Sequence, residues 1–116
     1  MTSHRIEKMS SLFTEALALV LKTEIRDPRL SDVILTEVTP TPDLKLLRAY
    51  YIASDTSDIN KKEIVAGFKK SKSYLRKRLG EEIELRFVPD LEFFYDEGYE
   101  ARNRVEALFD VIKKKG

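Results

Sequence analysis

The sequence has no cysteine and no tryptophan, and its one histidine, His4, stands near the start. Without cysteine, disulfide staples and thiolate metal sites are excluded. A single histidine leaves no cluster for zinc and argues against histidine-driven catalysis. No apolar run approaches the ~18 residues of a membrane span, and Met1-Thr2-Ser3-His4-Arg5 is not followed by a signal-type core. These absences predict a soluble, intracellular protein with no membrane association. Glycine and proline are scarce, at four each, and no repeat, low-complexity tract or linker divides the chain. What is present suits one folded domain: 116 residues, 42% apolar and 35% charged, enough for a single core.

The net charge of +1 conceals a strong segregation. Residues 61–78 carry +7, with eight basic side chains against Glu63 alone. Residues 81–100 carry −7, with eight acidic side chains against Arg86 alone. Such a chain is an electrostatic dipole, and its positive pole can attract a polyanion although the total is near zero.

The hydropathy pattern predicts helix, strand, strand, helix, strand, helix. From Ser3 to Ile25, Ile6, Met9, Phe13, Ala16, Leu17 and Val20 recur at helical steps, and Asp27-Pro28 ends the helix. Asp32–Thr39 and Leu44–Ala53 are β-rich runs around the turn Pro40-Thr41-Pro42-Asp43. Asp55–Asn60 reads as a loop, and Asn60 with Glu63 resembles a capping box opening a second helix. Gly80 stands where a left-handed cap would close that helix. Glu82–Tyr95 alternates with period two, which predicts one long strand with Pro89 at an edge or bulge. Gly98–Lys115 predicts a third helix, with Val105, Leu108, Phe109 and Ile112 as its stripe. The strand–helix–strand crossover makes this a two-layer α+β sandwich in one domain over residues 1–116.

On a helical wheel, at about 100° per residue, Ile64, Phe68, Ser71, Leu75 and Leu79 form the second helix's core stripe. Lys62, Lys69, Lys70, Arg76 and Lys77 gather on the opposite side and Lys72 flanks the stripe. Arg78 falls inside the stripe's arc and is expected to escape at a frayed end or a kink. A solvated helix face is the ordinary explanation of exposed charge, but ordinary faces mix signs for i,i+4 pairing. A face of one sign repels itself unless a polyanion neutralises it, which favours nucleic acid. Arg5 and Lys8 in the first helix, and Arg26 and Arg29 around the Asp27-Pro28 turn, are further candidates, each individually an ordinary surface charge. Of the aromatics, Tyr50, Tyr51, Phe87, Phe93, Phe94 and Tyr95 are expected mostly in the core, and Tyr74 is the best candidate for stacking on a base.

No nucleophile, base and metal cluster converges, since Glu81, Glu82, Glu84, Asp90 and Glu92 are spread along the chain, so the sequence does not read as an enzyme. A rival reading is a protein–protein adaptor that docks a basic partner on its acidic strand face, helped by Leu12 and Leu19 on the first helix. The element order suggests the RNA-binding KH class, but Gly67 is the only glycine before Gly80 in this region, so the Gly-x-x-Gly loop of ordinary KH domains is absent.

Arg5-Ile6, Glu24-Ile25-Arg26-Asp27-Pro28-Arg29-Leu30, Asp43-Leu44 and Leu85-Arg86-Phe87-Val88-Pro89-Asp90-Leu91-Glu92-Phe93-Phe94-Tyr95-Asp96 together resemble the bacterial ribosome-binding factor A family, over roughly residues 4 to 112. The resemblance implies a KH-like fold of the second type without the glycine loop, and no enzymatic activity or cofactor. It implies binding to the free small ribosomal subunit late in assembly, at the 5′-terminal helix region of its ribosomal RNA. It further implies an assembly GTPase as a partner in release in some bacteria, and importance for growth in the cold; the protein is expected to be a monomer. Members carry a bend in the second helix at an Ala-x-Gly stretch, and the matching positions here are Ser71-Lys72-Ser73. Lys69, Lys70, Lys72, Arg76, Lys77 and Arg78 are then the expected RNA contacts, with Arg5, Lys8, Arg26 and Arg29 as a second set.

Overall fold

The computed structural model describes residues 2–99 together with 101 and 102. Helix α1 (Thr2–Glu24) leads through a 3-10 turn (Pro28–Leu30) to β1 (Val33–Pro40) and β2 (Leu46–Ala53). Helix α2 (Asp58–Ile83) crosses back over the sheet to β3 (Asp90–Tyr95). The strands lie in the order β1-β2-β3, with β1 antiparallel and β3 parallel to β2. Both helices cover one face of this sheet, the α+β two-layer arrangement expected.

Periodicity decides the packing. Phe13, Leu17, Val20 and Leu21 of α1, and Ile64, Phe68, Leu75 and Leu79 of α2, are buried against Leu35, Val38, Leu47, Ala49, Tyr51 and Leu91 of the sheet. Phe68 stacks on Phe93 with centroids 3.9 Å apart, and Tyr51 tilts against Phe68 at 5.2 Å. Helix α1 also satisfies the outer edge of β1. Ser10 Oγ donates to the Val38 carbonyl at 2.6 Å, and the Val38 amide donates to Thr14 Oγ1 at 2.8 Å. Edge-strand polar groups held in this way are not left open to another chain.

Several local expectations are corrected. The hairpin turn runs over Thr41–Lys45, with Leu44 at φ 60°, so β2 starts later than Leu44. Asp43 Oδ1 stabilises that turn by accepting from Thr41 Oγ1 and the Lys45 amide. The cap of α2 is Ser57, whose Oγ accepts from the Asn60 amide, while Asn60 Nδ2 donates to the Asp55 carbonyl. Gly80 does not close the helix. It is buried within α2, where a Cβ would come 2.5 Å from Val88 Cγ2, so glycine is needed for close approach. The left-handed cap is Glu84, at φ 56°.

The long strand expected over Glu82–Tyr95 is therefore two things. Glu82 and Ile83 belong to α2, and only Asp90–Tyr95 pairs with β2. Residues 84–89 reverse the chain between them, which leaves Phe87 85% exposed instead of in the core. The third helix expected over Gly98–Lys115 lies outside the described residues beyond its opening turn, where the Arg102 amide donates to the Gly98 carbonyl at 3.0 Å. Among the described residues, no helix is long and apolar enough to cross a membrane.

Candidate nucleic-acid interface

With its aliphatic underside fully buried, α2 has to present its other face to solvent. Lys62, Lys69, Lys70 and Lys77 are exposed there, and none of them has an ion-pair partner among the described residues. Exposed Val65 lies among them. The four ammonium groups form the free part of the expected cationic ridge.

The other cations of α2 are engaged by the protein itself. Lys72 pairs with Asp90 at 2.9 Å. Arg76 donates from Nη2 to the Val88 carbonyl at 2.9 Å and from Nε to that of Pro89 at 3.1 Å, so it pins the segment that leads into β3. Arg78 does not fray outward. Its Nε donates to Glu24 Oε1 at 2.8 Å, its Nη1 to Glu81 Oε2 at 3.0 Å and its Nη2 to Glu82 Oε1 at 2.7 Å. Hydrogen bonds to Glu24, and then to Glu82, raise the guanidinium pKa further above its usual value. Arg78 thereby ties α2 to the end of α1. Its charge is largely spent inside the fold.

Glu24 is the partner that spacing along the chain gives no hint of, because it lies 54 residues from Arg78. Hydrogen bonds from Arg78, and then from the Tyr74 hydroxyl, lower its pKa from the usual 4.5 to about 2. A carboxylate with a depressed folded-state pKa stabilises the fold fully above its unfolded value and loses that contribution as pH falls through the folded one. We expect the urea midpoint to decline between about pH 5 and pH 2, and Glu24→Gln to flatten that decline. Parallel curves for the two proteins would show that Glu24 is not the group responsible.

The second set of cations divides. Arg26, Arg29 and Lys70 line one cleft, between the turn after α1 and the middle of α2. Arg5 and Lys8 stand at the far end of α1, roughly 28 and 24 Å along its axis from Glu24 at ~1.5 Å per residue. They do not join the patch that Arg78 reaches.

Ser71, Lys72 and Ser73 lie inside α2, which is helical without interruption from Asp58 to Ile83. Thr14 and Thr23 bond back to the Ser10 and Leu19 carbonyls in α1, whereas among the described residues neither Ser71 nor Ser73 makes such a bond. Tyr74 is half-exposed at the ridge's margin, its hydroxyl donating to Glu24.

The acidic block does not form one strand face. Glu81 and Glu82 are on α2 and face Arg78, Asp90 faces Lys72, and Asp96 is buried against Thr36 and Arg102. Among the described residues, no group of three or more metal-ligating side chains comes together.

Comparison with known proteins agrees with this architecture. Ribosome-binding factor A of Coxiella burnetii is 39% identical over 113 residues, covering 97% of this chain and 93% of that protein. The crystal structure of ribosome-binding factor A from Thermus thermophilus superposes with a TM-score of 0.69 at 21% identity, over 78% of this chain and 93% of that one. A homology model of the Thermus thermophilus factor, fitted into a cryo-EM map of a complex with the 30S subunit, gives 0.61 at 22% identity over 73% and 88%. These neighbours share the KH-like arrangement of two helices on a three-stranded sheet. The family model for ribosome-binding factor A matches residues 5–109, nearly the whole chain, and the chain belongs to that family.

Proposed function

We propose that this protein binds the free small ribosomal subunit and promotes late maturation of its ribosomal RNA, at the 5′-terminal helix region, without chemistry of its own. The observation that carries the reading is the row of Lys62, Lys69, Lys70 and Lys77, exposed, unpaired among the described residues, and mounted on a helix whose other side is buried. Four like charges on one face cost stability in the free protein, and a phosphate surface relieves that cost. The relative fitted into a 30S complex supports the choice of polyanion.

In this reading the lysines contact phosphates of folded RNA and position the protein by backbone shape. Lys72, Arg76 and Arg78 contribute their field from the flank while they brace the fold. Arg26 and Arg29 extend the contact beside Lys70. Arg5 and Lys8, at the other end of α1, touch a separate stretch of RNA. The protein acts as a monomer in the cytoplasm and holds one conformation of the maturing RNA, a population shift set by its preference for one of two RNA states. A GTPase partner assists its release.

The test is sedimentation with purified subunits over a salt series. The four lysines alone predict a slope of about −3 in log affinity against log salt, roughly a hundredfold loss from about 50 to 200 mM, and contacts by Arg26, Arg29, Arg5 and Lys8 steepen it further. The protein should travel with free small subunits and not with polysomes. Binding that survives both high salt and ribonuclease would overturn the reading in favour of a protein partner.

A further inference from the structure

The cleft between the Arg26–Arg29 turn and α2 has features that a general cationic face does not require. It is an open cleft of about 480 Å³, lined by Arg26, Asp27, Arg29, Lys70, Ser71 and Tyr74, among others. That volume lies within the roughly 300–1,000 Å³ of small-ligand sites.

Its acids are already occupied. Asp27 accepts from the Arg29 amide at 3.0 Å and from Arg29 Nη2 at 2.7 Å, and the guanidinium beside it lowers its pKa to about 2. Glu24 is held by Arg78 and Tyr74. Neither carboxylate is free to take up the remaining cations.

The geometry also prepares donors. Asp27 grips Arg29 through Nε and Nη2, so the planar group is fixed in place with Nη1 directed away from the pair. A guanidinium held in this way loses little entropy when it meets a phosphate oxygen. Lys70 is near enough for its charge to act on Asp27. Tyr74, anchored at its hydroxyl by Glu24, presents a half-exposed ring on the same wall.

We propose that this cleft is a one-nucleotide site: Arg26, Arg29 and Lys70 hold one RNA phosphodiester, and the Tyr74 ring packs on the adjoining base. The proposal rests on the RNA-binding reading above and narrows it to a pocket. One fixed guanidinium and two exposed cations around one phosphate, with an aromatic plane beside them, suit a nucleotide turned out of its stack.

The test uses the full chain and purified small subunits. Arg26→Gln/Lys70→Gln leaves the Asp27–Arg29 pair intact and should keep the wild-type unfolding midpoint. It should weaken binding about tenfold and make the salt slope shallower by about 1, the share of one phosphate. Tyr74→Ala should weaken binding by about tenfold with the slope unchanged, while Tyr74→Phe, which keeps the ring, should bind as wild type. The pocket is overturned if the double variant keeps wild-type affinity and slope, or if Tyr74→Ala binds like Tyr74→Phe, while reversal of the ridge lysines still abolishes binding. If ridge reversal has no effect either, the small-subunit reading itself fails.

Discussion

Reversing Lys62, Lys69 and Lys77 to glutamate is expected to abolish cosedimentation with the small subunit and to leave the fold intact. Each lysine–phosphate pair at about 0.1 M salt contributes roughly five- to eightfold to affinity, so removing three of them predicts a fall of more than a hundredfold. The new carboxylates add repulsion. The fold should survive because all three side chains are exposed and make no ion pair among the described residues. A glutamate at 69 would even face Lys72 at the favourable i,i+3 spacing. Arg76 and Arg78 are left out by design. Reversing Arg76 would remove the donors that hold the Val88 and Pro89 carbonyls, and reversing Arg78 would add a fourth acid to Glu24, Glu81 and Glu82. In either variant, weakened binding would not distinguish unfolding from the absence of a phosphate partner. Wild-type sedimentation of the triple variant, with a normal unfolding curve, would remove α2 as the binding face.

Leu75→Ala should be the most destabilising change on α2, by about 3–4 kcal/mol, with the unfolding midpoint lower by roughly 12–25 °C. Leu75 is fully buried on the underside of α2, two residues before Lys77, in the core that the helices share with the sheet. Removing its branched end leaves a cavity that a continuous helix cannot close by moving a few side chains. Val65→Ala, on the same helix but 60% exposed, should cost less than about 1 kcal/mol. Urea unfolding of the pair separates them. Equal losses would mean that α2 is not held by its underside, and the rigid placement of the ridge would have no physical basis.

How much of this was legible in the sequence varies with the range of the interaction. The stripe of Ile64, Phe68, Leu75 and Leu79 is a periodicity within one helix, and it is buried as read. The outward position of Lys62, Lys69, Lys70 and Lys77 follows from the same wheel. The region after Gly80 is not legible in the sequence because two local signals there are ambiguous. A glycine near a helix end serves a left-handed cap or a close approach, and only Val88 against it distinguishes the two. Alternation from Glu82 to Phe87 imitates a strand, yet among the described residues no partner strand pairs with it.

The order of the described elements from α1 to β3, the family and the face on which positive charge accumulates are legible in the residues alone, because hydrophobic periodicity and charge density are properties of neighbouring residues. Which cations stay unpaired among the described residues is settled by the folded chain alone. Lys72, Arg76 and Arg78 look like the unpaired lysines in the sequence, yet they meet acids or carbonyls as far as 54 positions away. Arg29 is gripped by Asp27 on one edge only, through Nε and Nη2. Such pairing depends on distances of a few ångströms in the folded chain, where a charge passes from several partners' reach to none within one turn of helix.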